Sequence, residues 1–577
     1  MQLEKLYPGD FLQLDPIFES GRLILPFYGS HSRGKEQFLA AVKAGTAYQT
    51  EAYGYRFYLT VNEEVRHCLT VTNLLVAPVD DALLRLGTNG QGELTWRRLL
   101  EVLETTARSR FVAKLVLAFT TTASNQEWLT AQGYQAVAEG FEKSLTYRTG
   151  LVLGGGGARG AYQIGVWEAL QELQIPLQVV TGASVGALNG GLILVGDVAA
   201  AKELWLAIST DQVLQFPRAA SDNHSLTRLL QQVQSLTITA LRENGASTEP
   251  LEQLIYDALD EEKMQASPAE LYVCTTHLPD FTEKVVHFDK NDCAGNLQWL
   301  IASASFYPAM KAKEIAGNYY IDGGYRNNLP VDVALAQEVS ELIVVDVNGP
   351  GFIKRTPIPE TVATVPFDSP WTLGSFLAFD RERSRINYQL GYLETMKHFG
   401  RGKGYWYTFS EEEEAALNKA WRRFCRRLQQ TDDPLWQIIK GRPFWSRLNK
   451  AYQSKVVFET AGSALAELCG GLLNVPPEKC YEAAEFLPVL KKACNAQAEP
   501  IEGVLSVAEW LRQYRERLLA ISDTRQLLYW QRSFTAKTPI TAALRQLLEL
   551  TPVTAVAGAF LAELLATSTK SNEVTHS

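Results

Sequence analysis

With 577 residues, 46% hydrophobic and 21% charged, the chain can build full cores in two to four domains, which excludes global disorder. Its formal net charge of −9 argues against nucleic acid as a partner and supplies no general attraction to anionic lipid. Seven scattered cysteines, without Cys-x-x-Cys spacing, fit a reducing compartment and form no metal motif.

Residues 1–149 read as a separate α+β domain. Strand-like runs lie at Arg22–Tyr28, Tyr55–Val61 and Leu69–Ala77, followed by a helix at Leu94–Arg108 and a strand at Lys114–Phe119. A second helix around Asn125–Gln132 and a last strand near Glu142–Tyr147 complete the unit. This order, with the closing Asn125-Gln-Glu-Trp-Leu-Thr-Ala-Gln-Gly-Tyr134, resembles part of a GNAT acetyltransferase domain. That family's pyrophosphate loop begins with Gln or Arg, whereas Gly87-Thr-Asn-Gly-Gln-Gly92 begins with glycine and keeps only Gly90 and Gly92. The resemblance therefore implies a degenerate, structural or ligand-sensing module rather than a second active enzyme.

Two glycine-punctuated segments follow. Leu151-Val-Leu-Gly-Gly-Gly-Gly-Ala-Arg-Gly160 is an apolar strand running into a glycine nest and then a helix at Ala161–Leu173. Successive glycines let the main chain approach a ligand and aim N–H donors at an oxygen carrying developing charge. The string also satisfies Gly-x-Gly-x-x-Gly, the dinucleotide-binding fingerprint. That fingerprint expects a carboxylate at the end of the next strand, and the next strand ends in Thr181-Gly-Ala-Ser184. Thr181-Gly-Ala-Ser-Val-Gly-Ala187 is itself a Gly-x-Ser-x-Gly turn between the strand Leu177–Val180 and a small-residue helix. Gly182 and Gly186 remove side chains that would collide at the corner, so Ser184 stands exposed where helical N–H groups favour negative charge. An oxyanion site beside a serine points to acyl-ester hydrolysis.

Downstream, Ala302-Ser-Ala-Ser-Phe-Tyr-Pro308 is a small-residue run, and Tyr319-Tyr-Ile-Asp-Gly-Gly324 is a strand ending in aspartate on a glycine turn, followed by Tyr325-Arg-Asn-Asn-Leu-Pro330. Taken singly, Asp-Gly-Gly is an ordinary turn. The four blocks in this order, with the strand Leu342-Ile-Val-Val-Asp-Val347, resemble the patatin-like phospholipases over about residues 150–350. The resemblance implies an α/β fold, with a three-layer core around a mostly parallel sheet. It also implies a catalytic dyad of Ser184 and Asp322, with oxyanion donors from Gly155, Gly156 and Gly157. Arg159 matches the family's arginine and is expected to support the loop or an anionic substrate. Gly160, Gly182, Gly186, Gly323 and Gly324 are supporting positions. The implied substrate is a lipid ester, and no cofactor or metal is called for.

An aspartate is a weak base for a serine hydroxyl unless burial raises its pKa. A Ser-Asp-His arrangement is the rival and requires a histidine after Asp322, where only His398 and His576 lie. His398 falls in a helix-like stretch and reads as an ordinary surface or half-buried histidine, while His277 and His287, with no recognisable partner, read as structural.

Beyond Val347, five prolines between Pro350 and Pro370 mark a loop that flanks or covers the entrance. Trp371–Phe399 reads as one helix, and residues 150–400 as the hydrolase domain. Residues 401–577 read as a helical region. In it, Ser410-Glu-Glu-Glu-Glu-Ala415 forms a capping box, and Arg422-Arg-Phe-Cys-Arg-Arg427 is a solvated helix face, with a lipid-headgroup patch as the alternative. The aromatic clusters Pro443-Phe-Trp445 and Tyr529-Trp530 read as core, and Ser568–Ser577 as frayed. Val553–Ala566 is too short for a membrane span and reads as a buried or interfacial helix. The start lacks a signal-like pattern. The expectation is a cytoplasmic serine acyl hydrolase, peripheral at a membrane where it meets its lipid. Its rival is a non-enzymatic lipid or acyl-CoA sensor on a hydrolase scaffold.

Overall fold

Thr149–Leu153 is buried at every residue, the mark of a strand covered on both faces. It is β8 in chain order and lies inside the largest sheet. The computed structural model describes residues 3–7, 31–52, 55–64, 66–78, 91–119, 123–209, 249–453, 456–496, 524–539 and 541–574. The chain divides into two compact units, Met1–Thr395 and Met396–Ser577.

The first unit begins with a seven-stranded sheet: β1 (Glu4–Lys5), β2 (Ala47–Ala52), β3 (Tyr55–Glu64), β4 (Cys68–Pro78), β5 (Lys114–Leu117), β6 (Gln135–Val137) and β7 (Gly140–Ser144). Its spatial order is β1-β2-β3-β4-β5-β7-β6, antiparallel except for the β4/β5 pair. The helix Gln91–Ser109 buries Leu99, Leu100, Leu103 and Ala107 against it. The expected strand at Arg22–Tyr28 and residues 87–90 of the glycine string lie outside the described residues. A helix at His31–Ala44 and strand β2 went unread in the sequence.

Around β8 the larger sheet runs β12-β13-β10-β9-β8-β14-β15, with β11 also paired to β10. Here β9 is Val179–Ala183, β10 Glu270–Leu278, β11 Thr282–His287, β12 Lys313–Ile315, β13 Asn318–Asp322, β14 Glu341–Asp346 and β15 Ala363–Asp368. Strands β10, β9, β8, β14 and β15 are mutually parallel, the mostly parallel α/β core expected. One face of β8 packs Val152 with Val331 and Ala334 of a short helix, and the helix Val185–Val195 packs against β9.

Strand β15 replaces part of the expected proline-rich loop. Pro366 is tolerated because β15 is an edge strand, so one side of its main chain needs no ladder donor. The helix expected from Trp371 starts instead at Arg381, where Asp380 accepts from the Arg383 N–H at 2.9 Å. It returns to the core: a Cβ on Gly391 would fall 2.1 Å from the Tyr162 carbonyl oxygen, a close helix contact that only glycine allows.

An ion pair joins the helix Gln91–Ser109 to strand β14 of the larger sheet. Arg108 Nη1 lies 2.6 Å from Oε1 of Glu341, whose side chain is fully buried. Burial pushes the Glu341 carboxyl up, and Arg108 opposes the shift.

The second unit is helical, with a two-stranded parallel ladder, β16 (Thr408–Phe409) beside β17 (Cys480–Tyr481). The helix Glu411–Gln430 buries Trp421 and Phe424 and exposes Arg422, Arg423, Arg426 and Arg427. Only half of its expected capping box forms. Ser410 Oγ accepts from the Glu413 N–H at 3.2 Å, but the Glu413 carboxylate accepts from Ala484 and Phe486 instead. The Ser410 N–H donates to Tyr481. Phe444 and Trp530 are buried as expected. The last helix, Pro552–Val574, continues through most of the stretch expected to fray, and Val553–Leu564 is largely buried. Among the described residues no single helix is long and apolar enough to cross a membrane. The pair Leu544–Leu550 and Pro552–Ala566 passes that test jointly but is bent by 109°.

Candidate active site

Strand β10 has two edges. Along one, Tyr272–His277 pair with β11; along the other, Glu270–Cys274 pair with β9 and Thr275–Leu278 pair with β13. Strands β9 and β13 therefore approach each other end to end on a shared edge. Ala183 opposite Cys274 and Asp322 opposite Thr275 are successive rungs. This register brings Ser184 to Asp322 across 138 residues of chain: Ser184 Oγ donates to Asp322 Oδ2 at 2.6 Å.

Ser184 sits between β9 and the helix Val185–Val195 with φ 54° and ψ −127°, a strained conformation for a side-chain-bearing residue. The turn closes tightly: a Cβ on Gly182 would lie 2.4 Å from the Gly186 carbonyl oxygen, and one on Gly186 would lie 2.2 Å from that of Leu153. Ser303 braces it by accepting from the Ser184 N–H at 2.9 Å and donating to the Cys274 carbonyl at 2.6 Å. The Asp322 N–H donates to the Ser305 carbonyl. The small-residue run thus holds both members of the pair, a role its sequence did not disclose.

Asp322 is 4% exposed, and its second oxygen accepts from the Gly324 N–H at 2.7 Å. Burial raises its pKa from 3.8 to about 6, against the opposing hydrogen bonds from Ser184 and Gly324. Gly323 passes against β10, where a Cβ would fall 2.2 Å from the Cys274 carbonyl oxygen.

The glycine nest needs one correction. The Gly155 N–H donates to the Asn328 carbonyl at 3.0 Å, so it is not free for an oxyanion. Gly156 and Gly157 line the same cavity as Ser184 and Asp322. Gly157 has φ 55°, and a Cβ there would meet the Phe376 carbonyl oxygen at 2.1 Å. Asn328, buried within a block already noted in sequence, also donates from Nδ2 to the Gly155 carbonyl at 3.2 Å. Arg159 turns away from the cavity. Its guanidinium donates to the carbonyls of Gly374 (2.9 Å), Val347 (3.3 Å) and Asn348, so it supports loops. Behind Gly160, Asn189 donates to the Gly160 carbonyl and to Gln163 and accepts from Trp205, while Gln163 donates to the Gly154 carbonyl.

His277 does have a partner, Asp280, at 2.7 Å, and His287 stacks on Tyr272. His398 is exposed, and His576 lies outside the described residues.

The serine-aspartate pair opens on a cavity of about 280 Å³ lined mainly by apolar side chains, among them Leu188, Leu192, Leu251, Phe306, Met310 and Phe379. Such a space suits a hydrocarbon chain more than a polar substrate. No group of side chains suited to a metal occurs among the described residues.

This arrangement occupies the segment that comparison with known families singles out. Residues 151–335 match the patatin-like phospholipase family. Curated relatives match over about a third of the chain. Lysophospholipase NTE1 of Saccharomyces cerevisiae is 30% identical over 210 residues, covering 36% of this chain and 11% of that protein. Patatin-like phospholipase domain-containing protein 6 of Homo sapiens is 32% identical over 205 residues, 34% of this chain and 13% of that one. The chain thus spans 11–13% of the length of these two relatives. The crystal structure of VipD from Legionella pneumophila aligns at 14% identity and a TM-score of 0.27, over 75% of this chain and 93% of that one.

Proposed function

We propose that the chain is a serine acyl hydrolase that cleaves fatty-acyl esters of lipids through a Ser184–Asp322 dyad. The observation that carries this reading is the 2.6 Å hydrogen bond from Ser184 Oγ to Asp322 at the head of an apolar cavity. The patatin-like match and the relative named as a lysophospholipase support lipid as the substrate class.

In the proposed cycle, Ser184 Oγ attacks the ester carbonyl while its proton passes to Asp322. The resulting oxyanion is stabilised by the main-chain N–H groups of Gly156 and Gly157. Collapse expels the alcohol, which takes the proton from Asp322, and leaves an acyl-Ser184 ester. Water, deprotonated by Asp322, then attacks that ester, and Asp322 returns the proton to the departing Ser184 Oγ as the fatty acid is released. The hydrolase lies within residues 150–400, with residues 1–149 and 401–577 as flanking domains.

The test is fatty-acid release from lysophosphatidylcholine and from diacyl phospholipid by the purified chain. Release that disappears in Ser184→Ala is the expected outcome. No release, or release unchanged in Ser184→Ala, contradicts the proposal.

A further inference from the structure

Among the exposed large apolar side chains of the first unit, Tyr256, Phe281, Tyr307, Phe352 and Ile353 are 41–60% exposed. They come from four separate segments, each of which runs next to residues that line one cavity. Tyr256 follows Ile255, Tyr307 follows Phe306 and Phe352 follows Gly351; each of these preceding residues lines the space in front of Ser184. Phe281 joins the same rim, because its carbonyl accepts from Arg326 Nε beside the lining residue Tyr325. The Phe352 segment is pinned at its main chain. Its N–H donates to the Gly324 carbonyl and its carbonyl accepts from the Asn328 N–H, both at 2.7 Å, while its side chain points to solvent. A fixed backbone thus presents an apolar tip at the entrance.

Charges of both signs stand among these tips, with exposed Asp257 beside Tyr256 and exposed Asp280 beside Phe281, and cations elsewhere. Lys311, Arg326 and Arg355 are exposed, although the whole chain carries a net charge of −9. Lys354 turns aside to Glu283 and Asp332, leaving Arg355 as the exposed charge next to Phe352 and Ile353. Solvent-facing aromatic and aliphatic tips on the segments next to an apolar cavity, with Arg355 beside Phe352 and Ile353, match a lipid–water interface. A second copy of the chain on this rim would close the entrance, whereas a lipid surface would deliver substrate through it.

We infer that this rim is the face by which the chain docks on an anionic lipid surface, with Phe352 and Ile353 entering the acyl region and Arg355 meeting headgroups. The inference rests on the hydrolase reading for its purpose, but its test does not depend on turnover.

Binding is read by flotation of full-length Ser184→Ala, which leaves lipid intact, with vesicles of phosphatidylcholine alone or mixed with phosphatidylglycerol. Binding to the mixed vesicles should exceed binding to phosphatidylcholine. Adding Phe352→Ser with Ile353→Ser should lower binding roughly tenfold or more. Arg355→Glu should lower it roughly tenfold on the mixed vesicles only. In the chain with Ser184 intact, both changes should leave p-nitrophenyl butyrate turnover within about twofold, as expected for exposed positions. If the double variant fails to fold, Tyr256→Ser on a separate helix is read in its place, with the same direction expected. Absence of vesicle binding, or binding unaffected by these changes, overturns the inference. So does a loss of self-association in the double variant with vesicle binding intact, which would make the rim a contact between copies. Vesicle binding without butyrate turnover would sink the hydrolase reading alone.

Discussion

Asp322 in the first unit and Glu467 in the second are both buried carboxyls held above their ordinary range by desolvation, at about 6 and about 7. Each accepts two hydrogen bonds, and there the likeness stops. Glu467 accepts from the main-chain N–H groups of Tyr405 and Trp406, both at 2.7 Å, while Lys397 donates to the carbonyls of Tyr405, Trp406 and Tyr407. It fastens a loop. Asp322 accepts from one main-chain N–H and from a serine hydroxyl that faces a cavity. A raised carboxyl pKa is thus a consequence of burial. It becomes chemistry only where the partner is a nucleophile that substrate can reach.

The sharpest way to break this contrast is to neutralise each carboxyl and measure turnover of a soluble ester. Asp322→Asn, like Ser184→Ala, should cost at least roughly 1,000-fold in kcat/KM. Glu467→Ala, assayed below its melting temperature, should stay within about threefold. Similar losses in both carboxyl variants would remove the distinction.

Stability should move the opposite way. The folded-state pKa of Asp322 lies above its unfolded value, so ionisation penalises the fold; the penalty grows as pH rises from 3.8 to about 6 and is complete above that. Asp322→Asn should therefore stabilise the protein by about 3 kcal/mol at most near pH 8, since an amide can still accept from Gly324 and donate to Ser184. Glu467→Ala leaves two N–H groups unpaired and a void. It should destabilise by about 2–4 kcal/mol at about pH 5, where the native side chain is protonated. Chemical denaturation of both variants at these pH values checks the pair.

Asp322 must be ionised to act as a base, so kcat/KM should fall as pH drops through about 6. In Glu467→Ala the profile should keep its midpoint. A midpoint that moves with Glu467 would assign the titration to the wrong carboxyl.

The two regions also differ in how far sequence could describe them. Gly182, Ser184 and Gly186 were legible because a tight strand-to-helix turn has local steric rules. Asp322 lacked such a signature: its place depends on β9 and β13 ending on adjacent rungs of β10, a fact of register between distant strands. Only the family resemblance supplied it. Gly155 was misassigned because its N–H is taken by Asn328, far away in sequence. Likewise Glu413 had the right spacing for a capping box, but tertiary contacts with Ala484 and Phe486 claimed its carboxylate. Nothing local set Glu467 apart within its helix, since its two donors come from a loop some sixty residues earlier.

A smaller effect tests the bracing of Ser184. Ser303→Ala removes the acceptor for the Ser184 N–H. It should lower kcat roughly tenfold with KM little changed, as expected for a positioning residue. Ser303→Thr, which retains the hydroxyl, should recover part of the loss.

The central claim is that burial and register make Ser184 a nucleophile. A fluorophosphonate probe followed by intact-mass and peptide analysis tests it most directly. The account predicts one adduct, on Ser184, lost in Ser184→Ala and strongly slowed in Asp322→Asn. An unlabelled wild-type chain, or an adduct on another residue, would contradict it.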